Sequence, residues 1–327
     1  MSEITHEISL DTFYNQIQFA LNNYKTHGLK SENYSNIIIC GLGGSGIGGR
    51  IAKAYFSNKS TLPIEVYSDY SLPFYTSSKS LLILCSYSGF TEETLEMYKQ
   101  AAAINCDIII ISSGGELTDW SIRDKRNYYP IELGYQPRMA LGFSFSYLLL
   151  ILGELFNHNT KDELKNTSLL YADKEQHKGT ASQMISFFES TLENKYAVIT
   201  DNATEAIGTR FCQQLQENAK TECFVNVLPE ANHNAFETYY GVLPTNFIFL
   251  NSFTNDRNTG RFAYLKQLLE KQGNKVFEIN LANASITELL KAIYITDWYS
   301  IYLSDKNGSD RMNVSNIMGL KNFLKTF

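Results

Sequence analysis

No two cysteines in this chain stand at Cys-x-x-Cys spacing, and their number, five, is odd. That argues against a disulfide framework. Cys40 and Cys85 fall inside apolar, strand-like runs and read as reduced core residues. The five histidines (His6, His27, His158, His177 and His233) show no zinc-ligand spacing, so no metal is expected. Positive charge is also short. Lys and Arg number 28 against 34 Asp and Glu, leaving a net charge of −6. Nucleic acid and anionic membranes are therefore not expected as partners, and an anionic small substrate must meet local donors. No apolar run reaches membrane-spanning length. The longest, 143–156, contains Ser144, Ser146 and Glu154 and reads as a buried helix. The N-terminus carries no basic and apolar signal pattern, so a cytoplasmic, reducing location is expected. No short-period repeat is visible, and no Pro/Gly linker divides the chain.

What is present is the composition of a soluble globular protein, 44% hydrophobic and 19% charged over 327 residues, long enough for two ordinary domains. Apolar residues at helical spacing (Ile8, Phe13, Ile17, Leu21, Tyr24) predict one lead-in helix over 7–27. Short, unalternating apolar runs then alternate with helical stretches. Strands are expected at Ile37–Cys40, Ile64–Tyr67, Leu81–Cys85, Ile108–Ile111 and Tyr128–Leu133. Helices are expected at Gly44–Phe56 and from Thr91 to about Ala103. A helical region follows over 138–193, with breaks near Asn157–Thr160 and Lys178–Gly179. The rhythm resumes with strands at Tyr196–Thr200, Cys223–Leu228, Phe247–Asn251 and Val276–Leu281. Helices are expected there at 203–217, 261–271, 286–303 and 313–326. Such runs belong to parallel sheets covered on both faces. The expected fold is α/β, with two doubly wound, Rossmann-like parallel-sheet domains at 1–160 and 161–327.

Two strand-to-helix turns carry the chemistry. After Ile37–Cys40 comes Gly41-Leu42-Gly43-Gly44-Ser45-Gly46, which opens a helix whose N-terminus suits a phosphate. Gly41-x-Gly43-x-x-Gly46, with Asp69 placed 23 residues beyond Gly46, also fits a dinucleotide fingerprint, so an NAD-dependent oxidoreductase is one reading. After Leu81–Cys85 comes Ser86-Tyr87-Ser88-Gly89-Phe90-Thr91. Thr91 reads alternatively as a plain helix N-cap, with Glu93 and Thr94 beyond it. Capping does not account for Ser86 and Ser88, and three hydroxyls at a helix start make a donor-rich cup for a phosphate monoester. The dinucleotide reading leaves this second cup without a task.

The Ser-x-Ser-Gly-x-Thr loop resembles that of sugar isomerase (SIS) domains, a doubly wound fold that binds phosphosugars. With Gly43-Gly44-Ser45, Gly134-Tyr135-Gln136-Pro137-Arg138, Gln216-Glu217-Asn218-Ala219-Lys220, Glu230-Ala231-Asn232-His233-Asn234 and Leu320-Lys321, nearly the whole chain resembles the bifunctional phosphoglucose/phosphomannose isomerases. The resemblance implies an aldose–ketose isomerase that needs neither metal nor cofactor. It would act on a phosphorylated hexose through a cis-enediolate, as a homodimer with shared sites. Gly43, Gly44, Ser45, Ser86, Ser88 and Thr91 would bind substrate. Glu217 would be the base, His233 the ring-opening residue reaching in from the neighbouring subunit, Lys321 its ring-opening partner, and Arg138 the stabiliser of the enediolate oxygens. From the residues alone, Glu217 lies near a predicted helix C-terminus, where the dipole disfavours a carboxylate and burial would raise its pKa. Glu230 and Glu237 are rivals for the role. A departure falls at Arg311-Met312-Asn313-Val314-Ser315, where the family carries a small polar residue linked to mannose with no assigned counterpart here. Glucose 6-phosphate is thus the firmer substrate. A non-catalytic phosphosugar-binding SIS protein is the other alternative, though it would lack Glu217, His233 and Lys321 together.

Overall fold

A computed structural model describes residues 4–326. It divides into two compact units, one built mainly on Asp11–Ala172, the other on Thr5–Leu10, Asp173–Ala284 and Glu288–Phe327. The expected lead-in helix is two helices, α1 (His6–Asp11) and α2 (Phe13–Asn23), separated at Thr12. Apolar spacing runs on through the break, which hides it from a periodicity reading.

The first unit is a five-stranded parallel sheet. Its elements are β1 (Asn36–Cys40), α3 (Gly43–Phe56), β2 (Ile64–Tyr67), β3 (Ser80–Ser86), α4 (Glu92–Ala103), β4 (Asp107–Ser112), α5 (Gly115–Arg123) and β5 (Asn127–Pro130), followed by α6 (Leu141–Leu155), α7 (Thr160–Asn166) and α8 (Ser168–Ala172). Strand order is β2-β1-β3-β4-β5, and Ile38 aligns with Leu82 and Leu82 with Ile108 across the centre. Every residue of β3 is buried, as in a sheet covered on both faces. β5 stops at Pro130 instead of reaching 133, because Glu132 and Leu133 turn out to solvent. Helix α6 is apolar nearly all round and buried along its length. Gln16 of α2 fixes its start, donating from Nε2 to the Met139 carbonyl (2.8 Å) and accepting the Gly142 N–H on Oε1 (3.0 Å).

The second unit, which also takes in most of α1, continues with α9 (Lys174–Phe187). The break expected at Lys178–Gly179 is absent. His177, Ala181, Met184 and Ile185 bury one face of the helix through that point, and Gly179 faces open space. Then come β6 (Lys195–Asp201), α10 (Glu205–Gln214), β7 (Cys223–Leu228), β8 (Thr245–Asn251), α11 (Asp256–Lys271), β9 (Val276–Asn280), α12 (Ile286–Asn307) and α13 (Ser315–Leu324). The four strands are parallel in the order β7-β6-β8-β9. α11 starts ahead of the expected position because the Asn255 side chain caps it, accepting the Arg257 and Asn258 N–H groups. All five cysteines are buried free thiols.

Candidate active site

In a doubly wound sheet the crevice opens outside the carboxyl ends of the strands where the order reverses. In the first unit that point lies between β1 and β3, and the two phosphate-loop motifs leave from these strands. Gly43, Gly44 and Ser45 form the first turn of α3. Gly44 has a packing task that the sequence did not reveal. A Cβ there would lie 2.6 Å from the Pro137 carbonyl oxygen and 2.9 Å from the Arg138 nitrogen. The glycine thus lets the Pro137–Met139 turn press against the loop. Ser45 Oγ accepts the Tyr87 N–H at 3.2 Å and so joins the first loop to the second.

The second loop is tightly made. Ser86 Oγ, buried, accepts the Gly89 N–H (3.1 Å) and shares a hydrogen bond with Thr91 Oγ1 (2.8 Å). Ser88 Oγ, exposed, accepts the Phe90 N–H (3.2 Å). Gly89 has φ +70°, and a Cβ there would meet the Gly114 carbonyl oxygen at 1.8 Å, so no other residue fits. Thr91 occupies the N-cap position of α4, yet its side chain makes no cap hydrogen bond. Plain capping therefore does not explain it. Its hydroxyl faces Ser86, and the first N–H groups of α4 are left without a cap from it. Tyr87, the variable position of the motif, braces the loop. Its hydroxyl donates to the Glu132 carbonyl (3.0 Å) and accepts the Tyr135 N–H (2.8 Å). Burial pushes its pKa up, so the donor persists at neutral pH.

Arg138 lies in a single 3-10 turn, Pro137–Met139, one turn ahead of α6. It is buried, at 5% exposure, unlike a surface arginine at a helix start. Asp69, the residue a dinucleotide reading needs, is exposed and accepts the N–H of its neighbour Tyr70 at 2.6 Å.

The remaining candidates belong to the second unit. α10 runs into one turn of π-helix, Leu215–Ala219, with Glu217 at its centre and half-buried. Such turns are rare and gather at functional sites. Asn218, fully buried beside it, donates to Ser300 Oγ on α12 (2.9 Å). The rivals are exposed. Glu230 accepts from Asn234 at 3.4 Å and Glu237 from the Tyr240 hydroxyl at 3.1 Å. Of the three, Glu217 alone is partly withdrawn from water. His233 ends the 3-10 turn Glu230–His233 and is exposed, while its neighbour Asn232 accepts from Arg261 at 2.7 Å. Lys321 sits on α13, none of whose residues is buried. Behind α10, Arg210 and Asp297 form a fully buried ion pair at 2.5 Å. Burial pushes the Asp297 carboxyl above its ordinary range, and the guanidinium opposes that shift.

The first unit therefore brings Gly44, Ser45, Ser86, Thr91 and the Arg138 turn together, with Ser88 on the loop's outer side. In the second, Glu217, His233 and Lys321 stand on three separate elements. Tyr87, whose motif position accepts any residue, and Gln16 carry no signal by which sequence reasoning could have found them.

The second sheet reverses order between β6 and β8, and a buried carboxylate joins the ends of these two strands. Asp201, the last residue of β6, points its carboxylate there. Oδ1 accepts the N–H groups of Ala203 (3.0 Å) and Thr204 (3.1 Å), and Oδ2 accepts the N–H (3.2 Å) and hydroxyl (2.5 Å) of Ser252. Among the described residues, no cluster of three or more His, Cys, Asp or Glu could hold a metal ion. No described helix is long and apolar enough to cross a membrane.

Residues 180–324 match the family model of the bacterial phospho-glucose isomerase C-terminal SIS domain. The bifunctional phosphoglucose/phosphomannose isomerase of Caldicellulosiruptor bescii is 34% identical over 90% of this chain and 91% of its own. That of Aquifex aeolicus is 30% identical over 97% of each chain. Among solved structures, the C-terminal domain of glucosamine-fructose-6-phosphate aminotransferase from Francisella tularensis superposes with a TM-score of 0.72 over 95% of this chain and 98% of that one, at 13% identity. At that identity the likeness is one of fold.

Proposed function

The chain belongs to the bifunctional phosphoglucose/phosphomannose isomerase family, and from that premise we propose that it interconverts glucose 6-phosphate and mannose 6-phosphate with fructose 6-phosphate. The observation that carries the reading is the hydroxyl cup. Ser86 and Thr91 face each other at the start of α4, and Ser45 ties in the loop from β1. A phosphate monoester there would meet hydroxyls and the N-terminal N–H groups of α4.

The chemistry then follows from proton movements. His233 and Lys321 open the ring by moving a proton from the anomeric hydroxyl to the ring oxygen. Glu217 takes the C2 proton, and the electron pair of the C2–H bond passes into a cis-enediolate whose oxygens Arg138 stabilises. Transfer of the hydroxyl proton from O2 to O1 and return of the abstracted proton to C1 yield the ketose. C2 is planar in the enediolate, so one intermediate connects both aldoses. Purified protein assayed with each aldose phosphate in the presence of a chelator should turn over both without added nucleotide. A requirement for NAD(P) or for a metal would overturn the reading.

The proposal extends to a homodimer in a cytoplasmic setting, which suits five reduced, buried thiols. In such a dimer His233, exposed on a surface turn, would serve the neighbouring subunit's substrate. Mixing inactive His233→Ala protein with inactive Glu217→Gln protein should then restore part of the activity, since one hybrid site is complete. No recovery after demonstrated subunit exchange would assign His233 to its own chain's site.

A further inference from the structure

We infer that Lys220 is a positioning residue that holds the Glu217 turn and the helix bearing Lys321 in register; this rests on the roles proposed above for those two residues. Its ammonium donates to the carbonyl of Glu217 (2.5 Å) and to the carbonyl of Asn313 (2.7 Å), which lies 93 residues away in sequence. Asn313 lies two residues ahead of α13. Its side-chain Oδ1 accepts the N–H of Ser315, the first residue of that helix (2.8 Å). One side chain therefore runs from the backbone of the base to the backbone two residues ahead of the helix that carries Lys321. Because α13 has no buried residue, packing alone holds it weakly, and tethers of this kind decide where it lies.

The backbone at Lys220 points the same way. It closes the π turn in the left-handed region, at φ 54° and ψ 34°, a position where helices ordinarily place glycine. A lysine there keeps a conformational cost that glycine would avoid, as is common where a side chain is needed at that point. Neighbouring bonds secure the same turn. The Ala219 carbonyl accepts from Asn307 (3.2 Å) and Ser309 (3.2 Å), both ahead of Asn313. Lys220 itself is exposed on a cleft of about 880 Å³ shared with Glu222, Lys306 and Asn307.

The test compares wild type, Lys220→Met and Lys220→Arg on glucose 6-phosphate, with inorganic phosphate as a competitive inhibitor and 2-deuterated substrate as a probe of the proton-abstraction step. Misplacing a catalytic group by about 1 Å can cost on the order of 100-fold. Lys220→Met should lower kcat by about 10- to 100-fold, leave KM and the inhibition constant for phosphate within about threefold, and raise the deuterium isotope effect on kcat. Lys220→Arg, which can still donate to both carbonyls, should recover most of the loss. Turnover of Lys220→Met within about twofold of a fully active wild type overturns the clamp alone. So does a loss of kcat matched by equal weakening of phosphate binding with an unchanged isotope effect, which reports general unfolding. A wild type without isomerase activity overturns both the clamp and the function on which it rests.

Discussion

Glu217→Gln should lower turnover of glucose 6-phosphate and mannose 6-phosphate together, by about 100- to 10,000-fold, the usual cost of losing a general base. Glutamine keeps the size of the side chain and its hydrogen bonding but cannot take the C2 proton. Exchange of the C2 hydrogen with deuterated water, followed by NMR, should fall in step with turnover for both sugars, because both pass through one enediolate. KM should change little, since the hydroxyl cup lies on other elements. Ser88→Ala and Thr91→Ala should show the reverse pattern, raising KM by the equivalent of about 1–3 kcal/mol per lost phosphate contact while kcat is largely kept. Near-normal exchange in Glu217→Gln would refute the assignment. So would loss for one epimer only, since a shared base cannot be lost for one sugar alone. Glu230 and Glu237 would be the residues to change next.

Asp297→Ala should destabilise the protein by about 3–5 kcal/mol, read as a shift of the urea unfolding transition. The change leaves the Arg210 guanidinium, 3% exposed, without its carboxylate partner. The cost comes from the stranded charge and not from the pair's own attraction. The double change Arg210→Met with Asp297→Leu should therefore recover most of the loss. A single-variant effect below about 1 kcal/mol, the level of an exposed pair, would mean that water reaches the guanidinium. Arg210 sits on α10, the helix that runs into the Glu217 turn, so activity lost in Asp297→Ala should return in the double variant.

The strands were legible because their signal is composition. Ile37–Cys40, Ile64–Tyr67 and Cys223–Leu228 are short and mostly apolar, and the sheet keeps them within a residue of the expected bounds. Helix α5 was missed. It opens on Gly114-Gly115, buries only Leu117 and Ser121, and otherwise reads as a polar loop. The π turn was illegible for a different reason. Over five residues a π and an α turn differ by less than one residue of phase, so the pattern around Leu215–Ala219 fits either. Ser86, Ser88 and Thr91 could be picked out because three hydroxyls in one short turn exceed what capping needs. The roles of Glu217, His233 and Lys321 came from family resemblance, and residue type alone did not separate Glu217 from Glu230 or Glu237. Burial now does. The link from Lys220 to Asn313 could not be read from sequence, since nothing in either stretch refers to the other.

The carboxylate of Asp201 has a meaning for how two like folds share one chain. Each sheet opens a crevice lined with N–H donors, and each such crevice attracts an anion. In the second unit that anion is covalently attached. A tethered group competes at an effective concentration far above any free metabolite, in the millimolar range or higher for short tethers, and here it is already seated on four donors. The ends of β6 and β8 are thereby joined whatever the supply of phosphosugar. A single side chain sets the two like sheets apart at the point where their strand order reverses.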